Sequence, residues 1–162
     1  MTLKTVNGTQ LRDTVGSFPS GVTVVTTTDG EVDHGLTVSA FVSLSLEPAM
    51  VLVSIDKKSS VVPFLEQGSP VAVSVLSEEQ SDLAITFGRH LENKFDGVSI
   101  KRSTNRAAVL EGASAWLSGA VVDKYPGGDH FIITIAVEEC AHDEEQKPLL
   151  YHRGRLFQWQ ED

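Results

Sequence analysis

Two long β-prone runs, Ala115 to Tyr125 and His130 to Cys140, are separated only by Pro126-Gly127-Gly128-Asp129. The glycine pair frees the backbone for a tight turn, so the two runs read as one antiparallel hairpin. Shorter pieces repeat the pattern. Gly21 to Thr28 is rich in β-branched residues and ends at Asp29-Gly30, a second hairpin signal. The following strand runs from about Asp33 to Phe41. A third, Met50 to Ile55, is almost wholly apolar and belongs in the middle of a sheet. Val71 to Leu76 is another. Short extended pieces fall around Val98 to Ile100 and Ala107 to Leu110. The last, Leu149 to Tyr151, leads through Arg153-Gly154-Arg155 to Leu156-Phe157.

Helical patterns are few. Thr9 to Ser17 has Leu11 and Val15 four apart, weakened by Gly16. Ser60 to Glu66 reads as a short helix with Gly68 beyond its end. Ser77 to Phe87 opens with an N-cap residue and an acidic first turn. Strands outnumber helices, and the helices do not alternate with them as a doubly wound sheet requires. The expected fold is mainly β: an antiparallel barrel with a few short peripheral helices. The 162 residues are read as a single domain over 1–162.

Composition narrows the partners. The net charge is −9, which argues against nucleic acid or an anionic membrane as a partner. The N-terminus shows no long apolar run, and no stretch approaches the length of a membrane span. Cys140 is the one cysteine, so no internal disulfide is expected and a reducing cytoplasm is the natural compartment. No metal site is expected: His34, His90, His142 and His152 have no ligand spacing relative to each other or to Cys140. P-loop, G-x-S-x-G and G-x-G-x-x-G motifs are absent.

The segment Gly35 to Pro48 carries the chemistry. Alternate residues of a strand share a face. Thr37, Ser39, Phe41, Ser43 and Ser45 have one parity. Leu36, Val38, Ala40, Val42, Leu44 and Leu46 have the other, and are expected to face the barrel core. The hydroxyl row then lies on a surface able to hold a flat polar ligand; alone it reads more readily as the polar face of a half-buried strand. Lys57 and Lys58 precede Ser59-Ser60 at an expected helix start, where free N–H groups and basic side chains favour an anion. A ligand with a planar polar head and a phosphate tail fits both features. In Gly128-Asp129-His130, the carboxylate is placed to orient the imidazole.

Taken together, Phe18-Pro-Ser-Gly-Val-Thr-Val-Val-Thr26, the Thr37 to Pro48 run, Gly128-Asp-His130 and Pro148-Leu-Leu-Tyr-His-Arg-Gly-Arg155 resemble the short-chain flavin reductases over nearly the whole chain. The resemblance implies an FMN-binding split β-barrel, a homodimer with flavin near the subunit interface, and service as the reductase component of a two-component flavin monooxygenase. By the same resemblance, Thr37, Ser39 and Ala40 lie along the flavin ring, Ser45 and Leu46 lie toward the ribityl and phosphate end, and Val38 and Ser43 also belong to the flavin-binding run. Asp56, Lys57, Ser59 and Ser60 form the phosphate-side loop. Phe87, Gly88, Arg89, Lys94 and Phe95 flank the flavin. Asp129, His130, Tyr151 and Arg153 belong to the nicotinamide site, with His130 as the candidate catalytic residue. Two departures stand out. Ile135 occupies a position where the family often has glycine, and would crowd a close backbone approach. Glu47-Pro48-Ala49 replaces a frequent double proline.

The reaction implied is hydride transfer from NADH or NADPH to FMN or FAD. Two other readings stay open on the residues: a barrel with tightly bound flavin acting on another substrate or as a sensor, and an interaction module that binds no flavin.

Overall fold

The computed structural model describes residues 5–160. The segment read above as lacking an apolar run begins at residues 1–4, which lie outside the described residues, as does part of the expected 1–162 domain. After α1 (Gly8–Val15) come β1 (Ser20–Gly21), β2 (Thr23–Thr28), β3 (Asp33–Val38), β4 (Phe41–Leu46) and β5 (Ala49–Asp56). A 3-10 turn at Val62–Phe64 leads to β6 (Pro70–Val75). A second at Glu78–Gln80 runs into α2 (Ser81–Gly88). The chain ends with β7 (Ile100–Arg102), β8 (Ala108–Leu110), β9 (Ala115–Gly127), β10 (His130–His142), β11 (Leu149–His152) and β12 (Arg155–Gln158).

Seven strands form one antiparallel sheet in the order β3-β2-β6-β9-β10-β5-β4. Its two edges, β3 and β4, are consecutive in the chain and joined only by Ser39-Ala40. A two-residue link spans no more than about 7 Å, so the sheet has to curl until its edges meet. The Ser54 N–H donates to the Ala40 carbonyl at 3.0 Å, which carries the β4–β5 ladder up to the link. Beside it, the Thr23 hydroxyl donates to the Val38 carbonyl at 2.6 Å. The fold is the mainly β split barrel expected, with few helices and a sheet whose edges approach without pairing along their length.

Alternation along β5 turns Val51, Val53 and Ile55 inward, where they meet Val25, Val73, Ile133 and Ile135. Each fully buried Val or Ile contributes about 1.5–3 kcal/mol. β2 is covered on both faces, because Val24 packs outward with Leu76, Phe87, Leu110 and Leu149. The β9–β10 hairpin forms the spine and carries register shifts at Thr134/Ile135 and Val137/Glu139. Gly119 sits opposite the second shift, where a methyl group would overlap the Ala136 carbonyl oxygen.

Two expectations are corrected. The helix over Ser60 to Glu66 is only the Val62–Phe64 turn, begun by Pro63. It is too short for the dipole argued at Ser59-Ser60. The strand from Asp33 to Phe41 is broken at Ser39-Ala40, and the break reverses the parity. Val38 still points inward, but Val42, Leu44 and Leu46 are 54, 45 and 90% exposed. Phe41 packs on the core instead. A further register shift between Ser43 and Ser45 prevents the apolar row from running continuously into the barrel.

Candidate functional site

A cleft of about 730 Å³ opens beside the seam. One wall is α1 and the loop after it, with Arg12, Val15, Ser17 and Phe18. The floor is Ser39, Ala40, Phe41 and Val42. The far wall is the β11–β12 turn, with Tyr151, Arg153 and Gly154. An Asn7–Gln10 capping box starts α1, yet none of its side chains is buried. Its C-terminal end is fixed through Gly16, whose carbonyl accepts the Arg153 N–H at 3.0 Å. Arg153 holds φ at +49° and Gly154 at +77°, which turns the chain sharply. A left-handed arginine stores roughly 1–3 kcal/mol of strain. The Arg153 guanidinium reaches the Ser17 hydroxyl at 3.5 Å.

The seam leaves polar groups available. Among the described residues, the hydroxyls of Ser39, Ser43 and Ser45 make no hydrogen bond within the chain. The N–H groups of Ser39 and Ala40 donate to no backbone carbonyl outside the ladder. These free donors and acceptors suit a planar ligand edged with carbonyl and ring nitrogen atoms, such as a flavin.

Farther along β5 a second cluster forms. Asp56 pairs with His130 across the β5–β10 ladder, so the Asp56–Ser60 loop and the Gly128-Asp129-His130 turn are one place. The Lys57 N–H donates to the Asp129 carbonyl at 3.0 Å, and its Nζ to the Gly128 carbonyl at 2.6 Å. Asp129 Oδ1 lies 2.7 Å from His130 Nδ1, and this hydrogen bond holds the Asp129 carboxyl below its usual range. Asp56 folds the loop by accepting the Lys58 N–H at 2.8 Å, and Ser59 accepts the Val61 N–H at 3.3 Å. Ser60 is exposed. Lys57 and Lys124 each lie 5.3 Å from the Phe131 ring centre, and Lys124 is paired with Glu66.

A third group packs on the other side of β3. The Thr37 hydroxyl donates to the Ala84 carbonyl at 2.6 Å, and Gly88 lies beside it. Phe87 is 1% exposed and meets Phe95 edge-on at 4.9 Å. Lys94 donates to the carbonyls of Gly35 and Phe87 at 3.0 and 3.1 Å, and burial lowers its pKa. Arg89 caps α2 from the surface. Val38 is buried toward the core. Ile135 is likewise wholly buried in the barrel, so its bulk is directed into the core.

Sequence reasoning therefore named residues of three neighbourhoods. The structure joins Ser39 and Ala40 with Tyr151 and Arg153 in one cleft, and gathers Asp56 and Lys57 with Asp129 and His130 in a separate surface cluster. Phe87 and Phe95 are in the second core cluster. Arg12, Ser17 and Phe18 were missed. Only the folding of α1 beside the β11–β12 turn brings them to the cleft, and no local pattern announces that. Among the described residues no group of three or more His, Cys, Asp or Glu is gathered for a metal, and no helix is long and apolar enough to cross a membrane.

Residues 15–160 match the family described as the flavin reductase like domain. The chain is 39% identical over 142 residues to an actinorhodin polyketide dimerase of Streptomyces coelicolor, covering 87% of this chain and 80% of that one. It is 35% identical over 145 residues to HsaB, the reductase subunit of a flavin-dependent monooxygenase of Mycobacterium tuberculosis, covering 88% and 78%. A solved NADH:FAD oxidoreductase, SgcE6 of Streptomyces globisporus in complex with NAD and FAD fragments, superposes with a TM-score of 0.89 at 33% identity. That match covers 95% of this chain and 93% of the other.

Proposed function

The chain belongs to the flavin reductase-like family, and from that premise we propose that it is an NAD(P)H-dependent flavin reductase that hands reduced FMN or FAD to a monooxygenase partner. The observation that carries the reading is the seam cleft. It sets the unbonded Ser39 hydroxyl and the N–H groups of Ser39 and Ala40 opposite Tyr151 and Arg153. The flavin, when bound, supplies the hydride-accepting ring. The chain's own work is positioning, because hydride transfer needs the reacting atoms within about 3–3.5 Å and no obligatory acid or base.

In this reading Ser39 and Ala40 lie along the ring, and their N–H groups stabilise negative charge that develops on reduction. Ser43, Ser45 and Leu46 follow the ribityl chain, and Asp56, Lys57, Ser59 and Ser60 receive the phosphate. Thr37, Val38, Phe87, Gly88, Arg89, Lys94 and Phe95 support the site from behind β3. Asp129 holds the His130 ring, and His130, with Tyr151 and Arg153, orients the nicotinamide. The exposed row Val42, Leu44 and Leu46 supports a homodimer, since it is apolar surface that no element among the described residues covers. The proposed setting is a single cytoplasmic domain over residues 1–162.

The test is nicotinamide oxidation under air with FMN, FAD or riboflavin added in turn. A rate that rises with free flavin is expected. Flavin that stays bound through purification, with a rate indifferent to added flavin, would replace this reading with a resident-flavin enzyme. No oxidation with any flavin would end it. His130→Ala should raise the NADH requirement several-fold and leave flavin affinity within about two-fold. Equal losses of both would remove the role given to His130.

A further inference from the structure

The cleft has a cationic side of which the proposed reaction has used only Arg153. Arg12 from α1 and Arg153 from the β11–β12 turn reach the same cavity, where Asp13 is the only acidic residue of the lining. Among the described residues, no carboxylate lies within ion-pairing distance of either guanidinium. Several other cations of this acidic chain already have oxygen partners. Arg102 is paired with Asp33, Lys124 with Glu66, and Lys57 and Lys94 with carbonyls. Arg12 and Arg153 also share one junction. The Arg12 carbonyl accepts the Gly16 N–H at 2.8 Å, and the Gly16 carbonyl accepts the Arg153 N–H at 3.0 Å. Val15, Phe18, Phe41 and Val42 give the cleft apolar flanks beside the two guanidinium groups.

We infer that Arg12, with Arg153, binds a phosphate group of the nicotinamide nucleotide. The planar fork of a guanidinium matches phosphate oxygens two at a time. The flavin phosphate is already assigned to Asp56–Ser60, and His130 beside that loop to the nicotinamide ring, so an anion site on the α1 side suits the phosphates of the nicotinamide nucleotide. This inference rests on the flavin reductase reading.

The experiment compares wild type, Arg12→Gln, Arg12→Lys and Arg155→Gln at saturating flavin. Arg155 is exposed and outside the cleft lining, so its variant controls for net charge. Two hydride donors are used: NADH, and 1-methyl-1,4-dihydronicotinamide, which carries no phosphate. Arg12→Gln should raise the KM for NADH about ten-fold or more, the effect of losing one charge-assisted contact. Its kcat should stay within two-fold, and its rate with the phosphate-free donor should be unchanged. Arg12→Lys should recover part of the loss, and Arg155→Gln should resemble wild type. A KM shift below two-fold, an equal loss with the phosphate-free donor, or a rise in the flavin requirement instead would overturn the role of Arg12 alone. A wild type that oxidises neither donor with any flavin would overturn the underlying reading and this inference with it.

Discussion

β2 and the β3–β4 seam are both rich in hydroxyls, and the barrel treats them in opposite ways. In β2, Thr23, Thr26 and Thr27 are buried, and each hydroxyl donates to a carbonyl: Val38 at 2.6 Å, Ala108 at 2.5 Å and Pro70 at 2.7 Å. At the seam, Ser39, Ser43 and Ser45 are exposed or half-buried, and their hydroxyls bond to nothing among the described residues. A buried hydroxyl left without a partner costs about 1–3 kcal/mol, so the first set has to be satisfied internally. The second set faces water and stays available to a ligand. Hydroxyl content alone does not separate the two regions; the bonding state does.

The contrast makes predictions of different size. Gly119→Ala, in the spine and one strand removed from β2, should destabilise the fold most, by about 3–5 kcal/mol, because the backbone has to move to admit the methyl group. Denaturant melts check this, and a loss below about 1 kcal/mol would show that the β9–β10 shift is soft. Thr26→Val should cost about 1–3 kcal/mol, with flavin affinity unchanged. A large affinity loss at preserved stability would erase the distinction between the regions. Ser39→Ala and Ser45→Ala should reverse the pattern. Stability should stay within about 0.5 kcal/mol, while flavin titrations show affinity weakened several-fold. Unchanged affinity in both would remove the hydroxyls from the site.

The smallest effect is at the turn after β2. Asp29 accepts the N–H groups of Val32 and Glu31 at 2.8 and 2.9 Å and lies 3.3 Å from His34 Nε2. These bonds, the Val32 one foremost, lower its carboxyl from 3.8 to about 2. A depressed carboxyl gives its stabilisation in full above the ordinary value and loses it as pH falls toward 2. Asp29 is solvent-exposed, so the change should be slight. Carboxyl chemical shifts across pH 1–5 read it, and a midpoint at the ordinary value would dismiss the turn's grip.

What was legible in the sequence is local. The two hairpins announced themselves because turn chemistry at Asp29-Gly30 and Gly127-Gly128 acts between neighbours in the chain. Ser77 declared the start of the helical segment for the same reason, and its capping box with Gln80 is formed. The family's motifs located the seam without its geometry. The closure at Ser39-Ala40 is tertiary, and with it came the exposure of Val42, Leu44 and Leu46. The meeting of Lys57 with Gly128, 71 residues away, depends on β5 and β10 pairing in register. Arg12 was invisible because its significance lies wholly in what α1 is tied to. Ile135 looked like an obstruction in sequence, yet strand parity sends its side chain inward.

The two-residue seam has a consequence for traffic through the site. A fully laddered cylinder must break strand pairing before anything lodged in its wall can leave. Here the wall is already slit where β3 gives way to β4, and the backbone bond from Ser54 to Ala40 belongs to the β4–β5 side of the slit rather than across it. Opening such a slit is a local fluctuation rather than partial unfolding. Backbone amides at the slit should exchange with solvent far sooner than those of β2, and a molecule lying across it should slow them. A carrier that loads, reduces and discharges its cargo is served by a wall that can part without coming apart.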